Sequence, residues 1–190
     1  MKNFKKKHSV KIPENIKVLY CDKKNLITFI GPLSTKSLNL KTKLLLVPSS
    51  NLIIVIYPVD SRPTQNSNNN KRIRGTTTAK IRQILVEIIY VLSCKLNLVG
   101  VGYRVFPNEK LPNQIYLKLG YSHLVYFKIP TELNTNCLKF TKLFISNNNS
   151  YNSLTQTTAQ IRNCKLPEPY KGKGILHDQE TIVLKKGKNI

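Results

Sequence analysis

Thr76-Thr-Thr-Ala-Lys-Ile-Arg-Gln-Ile-Leu-Val-Glu-Ile-Ile-Tyr-Val-Leu92 is where the period of this chain changes. Ile81, Ile84, Leu85, Ile88 and Leu92 recur at intervals of three and four, which places them on one face of an α-helix. Thr76 to Thr78 offer an N-cap, because a threonine hydroxyl can accept one of the first unpaired backbone N–H groups. Ile81 to Leu92 is the most apolar window of the chain, but Arg82, Gln83 and Glu87 interrupt it. It falls well short of the ~18 apolar residues of a membrane span. The stretch predicts an amphipathic helix that covers a sheet.

The flanking sequence supplies the sheets. Upstream, Ile16–Tyr20 and Leu26–Ile30 are apolar runs separated by the turn-like Asp22-Lys-Lys-Asn25. Leu44–Val47 and Leu52–Tyr57 form a second pair around Pro48-Ser-Ser-Asn51, and the polar stretch from Ser61 to Arg74 reads as a surface loop. Downstream, Leu96–Phe106 reads as a strand containing Gly100 and Gly102. In Gln114–Leu119, Ile115, Leu117 and Leu119 face one way and Gln114, Tyr116 and Lys118 the other. Leu124–Ile129 and Leu138–Ile145 follow as strands, and Asn147–Asn152 as a polar break. Ser153 and Gln156 suggest a capping box for a second helix over Leu154–Cys164. Several strands and then one helix thus occur twice. The expected architecture is α+β: two similar small domains, residues 1–93 and 94–190, each an antiparallel or mixed sheet covered by one helix.

Charge narrows the partner. Lys plus Arg number 31 against 9 Asp plus Glu, a formal charge of +22 on 190 residues. Such an excess repels itself unless an anionic partner neutralises it. The cations run from Lys2 to Lys188 instead of concentrating on one amphipathic helix, which favours nucleic acid over a membrane surface. Cys21, Cys94, Cys137 and Cys164 form no CxxC pair, and His8, His123 and His177 are equally scattered, so neither a metal site nor a cofactor is expected. The thiols suit a reducing compartment. Met1 to His8 lacks the apolar core of a secretory signal. Lysine outnumbers arginine roughly fourfold, and only Ala79 and Ala159 represent alanine. That usage follows A/T-rich codons, as in genes of organelles and of some parasites or endosymbionts.

Pro167-Glu-Pro-Tyr-Lys-Gly-Lys-Gly174 is the stretch that carries chemistry. Two prolines stiffen the entry and forbid a helix or central strand. Gly172 and Gly174 bracket Lys173 and allow close approach to a partner. Arg162, Lys165, Lys171, Lys173, Lys185, Lys186 and Lys188 cluster around it, and each can neutralise a phosphate. Tyr170 serves either as a ring for stacking on a base or ribose or as an anchor for the loop. Glu168 is out of place on a phosphate and is read as pairing with a neighbouring lysine or arginine. Gly100-Val-Gly102 is no dinucleotide fingerprint, since the third glycine and the helix are missing. Gly172-Lys-Gly174 is no P-loop, since no Ser or Thr follows the lysine. Asp178 and Glu180 are the only closely spaced acids, and no histidine or metal motif accompanies them, so catalysis has no support.

Leu98-Val-Gly-Val-Gly-Tyr-Arg104, Leu119-Gly-Tyr-Ser-His123 and Pro167-Glu-Pro-Tyr-Lys-Gly-Lys-Gly-Ile175 together resemble ribosomal protein six of the large subunit. Val10-Lys-Ile-Pro13 and Ile27-Thr-Phe-Ile-Gly-Pro32 are similar to the start of the same family. The resemblance covers nearly the whole chain. It implies two alike α+β domains and a structural place on large-subunit rRNA, near the sarcin–ricin loop and the factor-binding stalk base. Neighbouring large-subunit proteins would be the other partners, with no membrane and no small-molecule substrate. The implied rRNA-binding residues are Arg162, Lys165, Tyr170, Lys171, Gly172, Lys173, Gly174, His177, Lys185, Lys186 and Lys188. Residue usage puts that ribosome in a mitochondrion, with a plastid or a bacterial cytoplasm as alternatives. A free RNA chaperone or regulator is the rival reading. The family's basic residue at Leu166 and its arginine-tyrosine pair at Leu176-His177 are missing, so two phosphate grips are expected to be lost. The glycine near the end of the first helix is also missing around Tyr90, so that helix is expected to run longer.

Overall fold

The computed structural model describes residues 8–58, 67–108, 111, 113–147 and 150–187. It divides into two compact units, residues 1–90 and 91–190. The first runs β1 (Ser9–Lys11), β2 (Lys17–Cys21), β3 (Leu26–Ile30), β4 (Thr35–Asn39), β5 (Thr42–Val47), β6 (Leu52–Pro58) and α1 (Ser67–Ile89). The second runs β7 (Leu92–Val99), β8 (Arg104–Pro107), β9 (Gln114–Lys118), β10 (Val125–Lys128), β11 (Leu133–Lys139), β12 (Lys142–Asn147), α2 (Tyr151–Asn163) and β13 (Gly174–His177).

The two units share a topology. In the first, one sheet has the order β1-β6-β5 and the other β2-β3-β4. In the second, β7-β12-β11 repeats the former and β8-β9-β10 the latter, all pairs being antiparallel. This is the α+β, twice-built architecture the sequence implied. The units differ in one element: β13 adds a fourth strand to the free edge of β7. It follows the Pro/Gly loop directly, so the loop hangs from a sheet edge.

Each unit buries its own core. Ile27, Phe29, Ile53 and Val55 of the first unit's sheets meet Ile81, Leu85 and Ile88 of α1. Leu96, Leu98, Val105, Ile115, Leu117, Leu143 and Ile145 meet Leu154, Ile161 and Ile175 in the second. A buried ion pair reinforces the first unit, where Lys36 of β4 meets Glu87 of α1. Gln83 Nε2 donates to the same carboxylate at 2.8 Å, which supplies the extra hydrogen bonding a buried charge requires.

Local expectations needed correction at several places, each with a physical cause. Helix α1 starts at Ser67, inside the stretch read as a loop. The threonines do not cap it: Thr77 Oγ1 donates to the Ile73 carbonyl at 2.8 Å and Thr78 Oγ1 to that of Arg74 at 2.7 Å. Back-bonding of this kind satisfies a hydroxyl in mid-helix. Arg74 Nε also reaches the Val55 carbonyl at 3.2 Å, fastening the extra turns to β6. At its other end α1 stops at Ile89 and does not run longer, because Leu92 belongs to β7 and pairs with Asn147. Strand pairing outweighs the helical spacing of that one leucine.

Leu96–Phe106 is two strands, not one. The chain turns at Gly100-Val-Gly102, where Gly102 has φ +75° and a Cβ on Gly100 would lie 2.8 Å from the Tyr103 ring. Leu138–Ile145 is likewise the β11–β12 hairpin. Helix α2 begins three residues earlier than expected: the cap is Ser150, whose hydroxyl accepts from the Ser153 N–H. Asn147 Nδ2 donates to the Ser150 carbonyl and to Ser153 Oγ, each at 2.8 Å, and fixes that start. Strands β1, β4 and β13 were not expected, being short or mostly polar. They form because β6, β3 and β7 offer partners.

Gly75 lies inside α1 with open space where a Cβ would sit. Gly75→Ala is therefore expected to stabilise the first unit by roughly 0.5–1 kcal/mol, since Gly loses more backbone entropy in a helix. A small rise in Tm would show it; an unchanged or lower Tm would refute it.

Candidate nucleic-acid interface

The loop 167–173 is a closed structure with its own hydrogen bonds. Glu168 N–H donates to the Lys173 carbonyl and Gly172 N–H to the Glu168 carbonyl, both at 2.9 Å. Gly172 has φ +67°, which favours a residue without Cβ. Gly174 is required for a different reason. A Cβ there would lie 2.5 Å from Pro167 Cα, so the chain leaving the loop passes the chain entering it with no room for a side chain. The close approach inferred from that glycine is thus made to the chain itself.

The C-terminal segment lies on the loop. Lys185 N–H donates to the Pro169 carbonyl at 2.9 Å, and Leu184 approaches Gly172. Loop and tail therefore present Tyr170, Lys171, Lys185 and Lys186, all exposed, as one surface. Tyr170 is 55% exposed, which leaves its ring available. Lys188 lies outside the described residues. Beside the loop, Tyr103, Tyr121, Cys164, Lys165, Glu168 and Lys173 line an open depression. Lys165 Nζ stands 4.2 Å from the centre of the Tyr121 ring, a cation–π contact that holds the ammonium in place. Tyr121 also donates from its hydroxyl to the Cys164 carbonyl at 3.2 Å and stacks on His123 at 5.6 Å.

Three separated sequence motifs meet here. The Tyr103 ring fits between Gly100 and Gly120, whose hypothetical Cβ atoms would stand 2.8 and 3.0 Å from it. Leu98–Arg104, Leu119–His123 and the 167–175 loop thereby become one site. Tyr121 and His123 were not among the residues inferred from sequence, although the glycine before Tyr121 marked the turn that delivers them.

Two inferred residues stand elsewhere. Arg162 Nε donates to Glu180 Oε2 at 3.0 Å, and Arg162 Nη2 contacts the other carboxylate oxygen. Glu180, not Glu168, is therefore the carboxylate that pairs with Arg162. It also accepts from the His177 backbone N–H at 3.2 Å. His177 sits at the opposite end of β13 from the loop, with Nδ1 3.5 Å from Cys94 Sγ. Leu176 is buried and Leu166 is 56% exposed. Burial pushes the thiols of Cys94, Cys137 and Cys164 up from their ordinary range, so they remain protonated and unreactive near neutrality. No cluster of three or more potential metal ligands occurs among the described residues, and none of their helices is long and apolar enough to cross a membrane.

The Arg162 hydrogen bonds hold the Glu180 carboxyl below the usual carboxylate range. A depressed folded value means the pair stabilises fully above the unfolded value of about 4.3 and loses that effect as pH falls through the folded one. Glu180→Gln should therefore lower Tm modestly at about pH 6, by the equivalent of ~1 kcal/mol or less, with the difference shrinking as pH falls below about 4.3. An unchanged difference across that range would show the pair to be energetically silent.

Residues 99–178 match the family model described as Ribosomal protein L6. Among similar proteins, the large ribosomal subunit protein uL6 of Malacoplasma penetrans is 34% identical, over 87% of this chain and 85% of its own. That of Chloroherpeton thalassium is 31% identical over 94% and 93%, and that of Paramagnetospirillum magneticum 31% over 96% of each. These relatives bear the name of a ribosomal constituent, not of an enzyme. Likeness over nearly the full length, with the three motifs assembled at one place, means that the chain belongs to the ribosomal protein L6 family.

Proposed function

We propose that the chain is a structural constituent of the large ribosomal subunit that holds large-subunit rRNA in shape, near the sarcin–ricin loop and the factor-binding stalk base. One observation carries this reading: Lys171, Lys185 and Lys186 are exposed on a loop and tail hydrogen-bonded to each other, with Lys165 and Lys173 beside them. Five ammonium groups on a preformed surface suit phosphates, and they position RNA without reading its bases. Tyr170 stacks on a base or ribose next to them. Gly172 and Gly174 shape the loop; Arg162 and His177 flank the contact and support it through Glu180. Lys188 adds a further positive charge to the sequence that follows. Neighbouring large-subunit proteins are the further partners.

The residue usage supports a mitochondrial ribosome, and the bacterial sources of the relatives fit the alternative of a bacterial cytoplasm. Locating the gene in an organellar or a bacterial genome separates them.

Sedimentation of the native protein tests the function. It should co-migrate with large subunits through high salt. Release into free fractions carrying varied RNAs would instead establish an RNA chaperone or regulator.

A further inference from the structure

The outer face of the β8-β9-β10 sheet carries a row of aromatic rings that the loop site does not use. Phe106 pairs with Tyr116 across β8 and β9, and Tyr116 with Tyr126 across β9 and β10. Residues directly opposite in a sheet point to the same face, so the three rings stand side by side. Their centroids are 5.0 Å apart for Phe106–Tyr116 and 6.3 Å for Tyr116–Tyr126. Phe140, from the β11–β12 turn, extends the row from Phe106 at 5.3 Å. The two end rings are open: Tyr126 is 60% and Phe140 59% exposed.

Cations border the row. Arg104 pairs with Lys118 on one side of it and shares its face by alternation, while Lys128 follows Tyr126 on the other side. All three are exposed, and Arg104 Cζ stands 5.9 Å from the Phe140 ring centre. No acidic residue occurs in the three strands. The fold does not demand these rings. In the first unit's equivalent sheet, the middle outward row is Leu19, Thr28 and Ser37, and that sheet forms without them.

We infer that this face is a second RNA contact, on which unpaired bases of an rRNA segment stack against Tyr126 and Phe140 while Arg104, Lys118 and Lys128 take the adjoining phosphates. Each unpaired nucleotide brings both a π-face and a negative charge, which matches rings whose own strands carry cations and no acid. A protein partner would need carboxylates placed around an apolar centre at each cation. The inference rests on the rRNA-binding function proposed above and adds a different surface to it.

The chain contains no tryptophan, so Tyr126→Trp in the full-length protein introduces a single reporter ring. Titration with an unstructured RNA of about ten nucleotides should quench its fluorescence, while an abasic ribose-phosphate chain of equal length should not. Tyr126→Ala with Phe140→Ala should weaken binding of the unstructured RNA by roughly ten- to hundredfold and leave the abasic chain unaffected. Tyr126→Phe with Phe140→Tyr should restore it, which separates stacking from any folding defect. Equal binding of both chains by the wild type, or no quenching in Tyr126→Trp, would overturn the inference, as would protection of the rings by a protein alone in assembled subunits. If the wild type binds no RNA of either kind, the proposed function itself fails; if it binds but the ring variants match it, only this second contact fails.

Discussion

Lys171→Glu with Lys173→Glu is expected to keep the chain out of large subunits while leaving it folded. Both side chains lie on the loop, and the hydrogen bonds that shape the loop there are made by backbone groups. Each reversal removes an attraction to phosphate and adds a repulsion. The double change should therefore weaken rRNA binding by on the order of a hundredfold or more and lower the salt slope by about two. The neutral pair Lys171→Gln with Lys173→Gln should fall between, and the thermal transition of both variants should match wild type. Normal incorporation of the double glutamate variant would show that the loop is not the rRNA contact.

Gly174→Ala should act through structure. The added Cβ would stand 2.5 Å from Pro167 Cα and 2.7 Å from Pro167 N, distances that real Cβ atoms do not adopt. Backbone must move, and the backbone in question joins the loop to β13. Overpacking and strain of this kind cost about 2–4 kcal/mol, or a fall in Tm of roughly 10 °C or more for a unit of this size. Loss of loop geometry should weaken rRNA binding with it. Gly187→Ala is the control, since nothing lies within 4 Å of its Cβ position. Unchanged stability and binding in Gly174→Ala would mean that loop and strand are not coupled by that crossing.

Much of the fold was legible because its signals are local. Leu26–Ile30 was read as an apolar run beside the turn-like Asp22–Asn25 and became β3 with the same limits. Ile115, Leu117 and Leu119 were read on one face and are buried together. The repeated order of strands and helix is the shared topology. Failures came where a distant partner decided the outcome. Thr35-Lys-Ser-Leu-Asn39 has one apolar residue and becomes strand β4 because it pairs with β3. The extra turns of α1 depend on Arg74 reaching β6. Of the inferred site residues, those from Lys165 through Gly174 stay together, since backbone hydrogen bonds between Glu168, Gly172 and Lys173 and between Ile175 and Lys165 close the ten residues into a loop. Arg162 could be placed near them, but its pairing with Glu180, eighteen residues on, could not.

By itself the sequence determined the duplicated α+β class, the excess of positive charge and the family, because periodicity, net charge and motif order are properties of the chain before it folds. Tertiary structure alone decided which cations stay exposed and which pair within the protein. It turned Arg162 toward Glu180, laid the tail along the loop, slotted Tyr103 between two glycines and aligned Phe106, Tyr116 and Tyr126 across three strands. The reason is physical: strand register and side-chain pairing join residues that no spacing in the sequence connects.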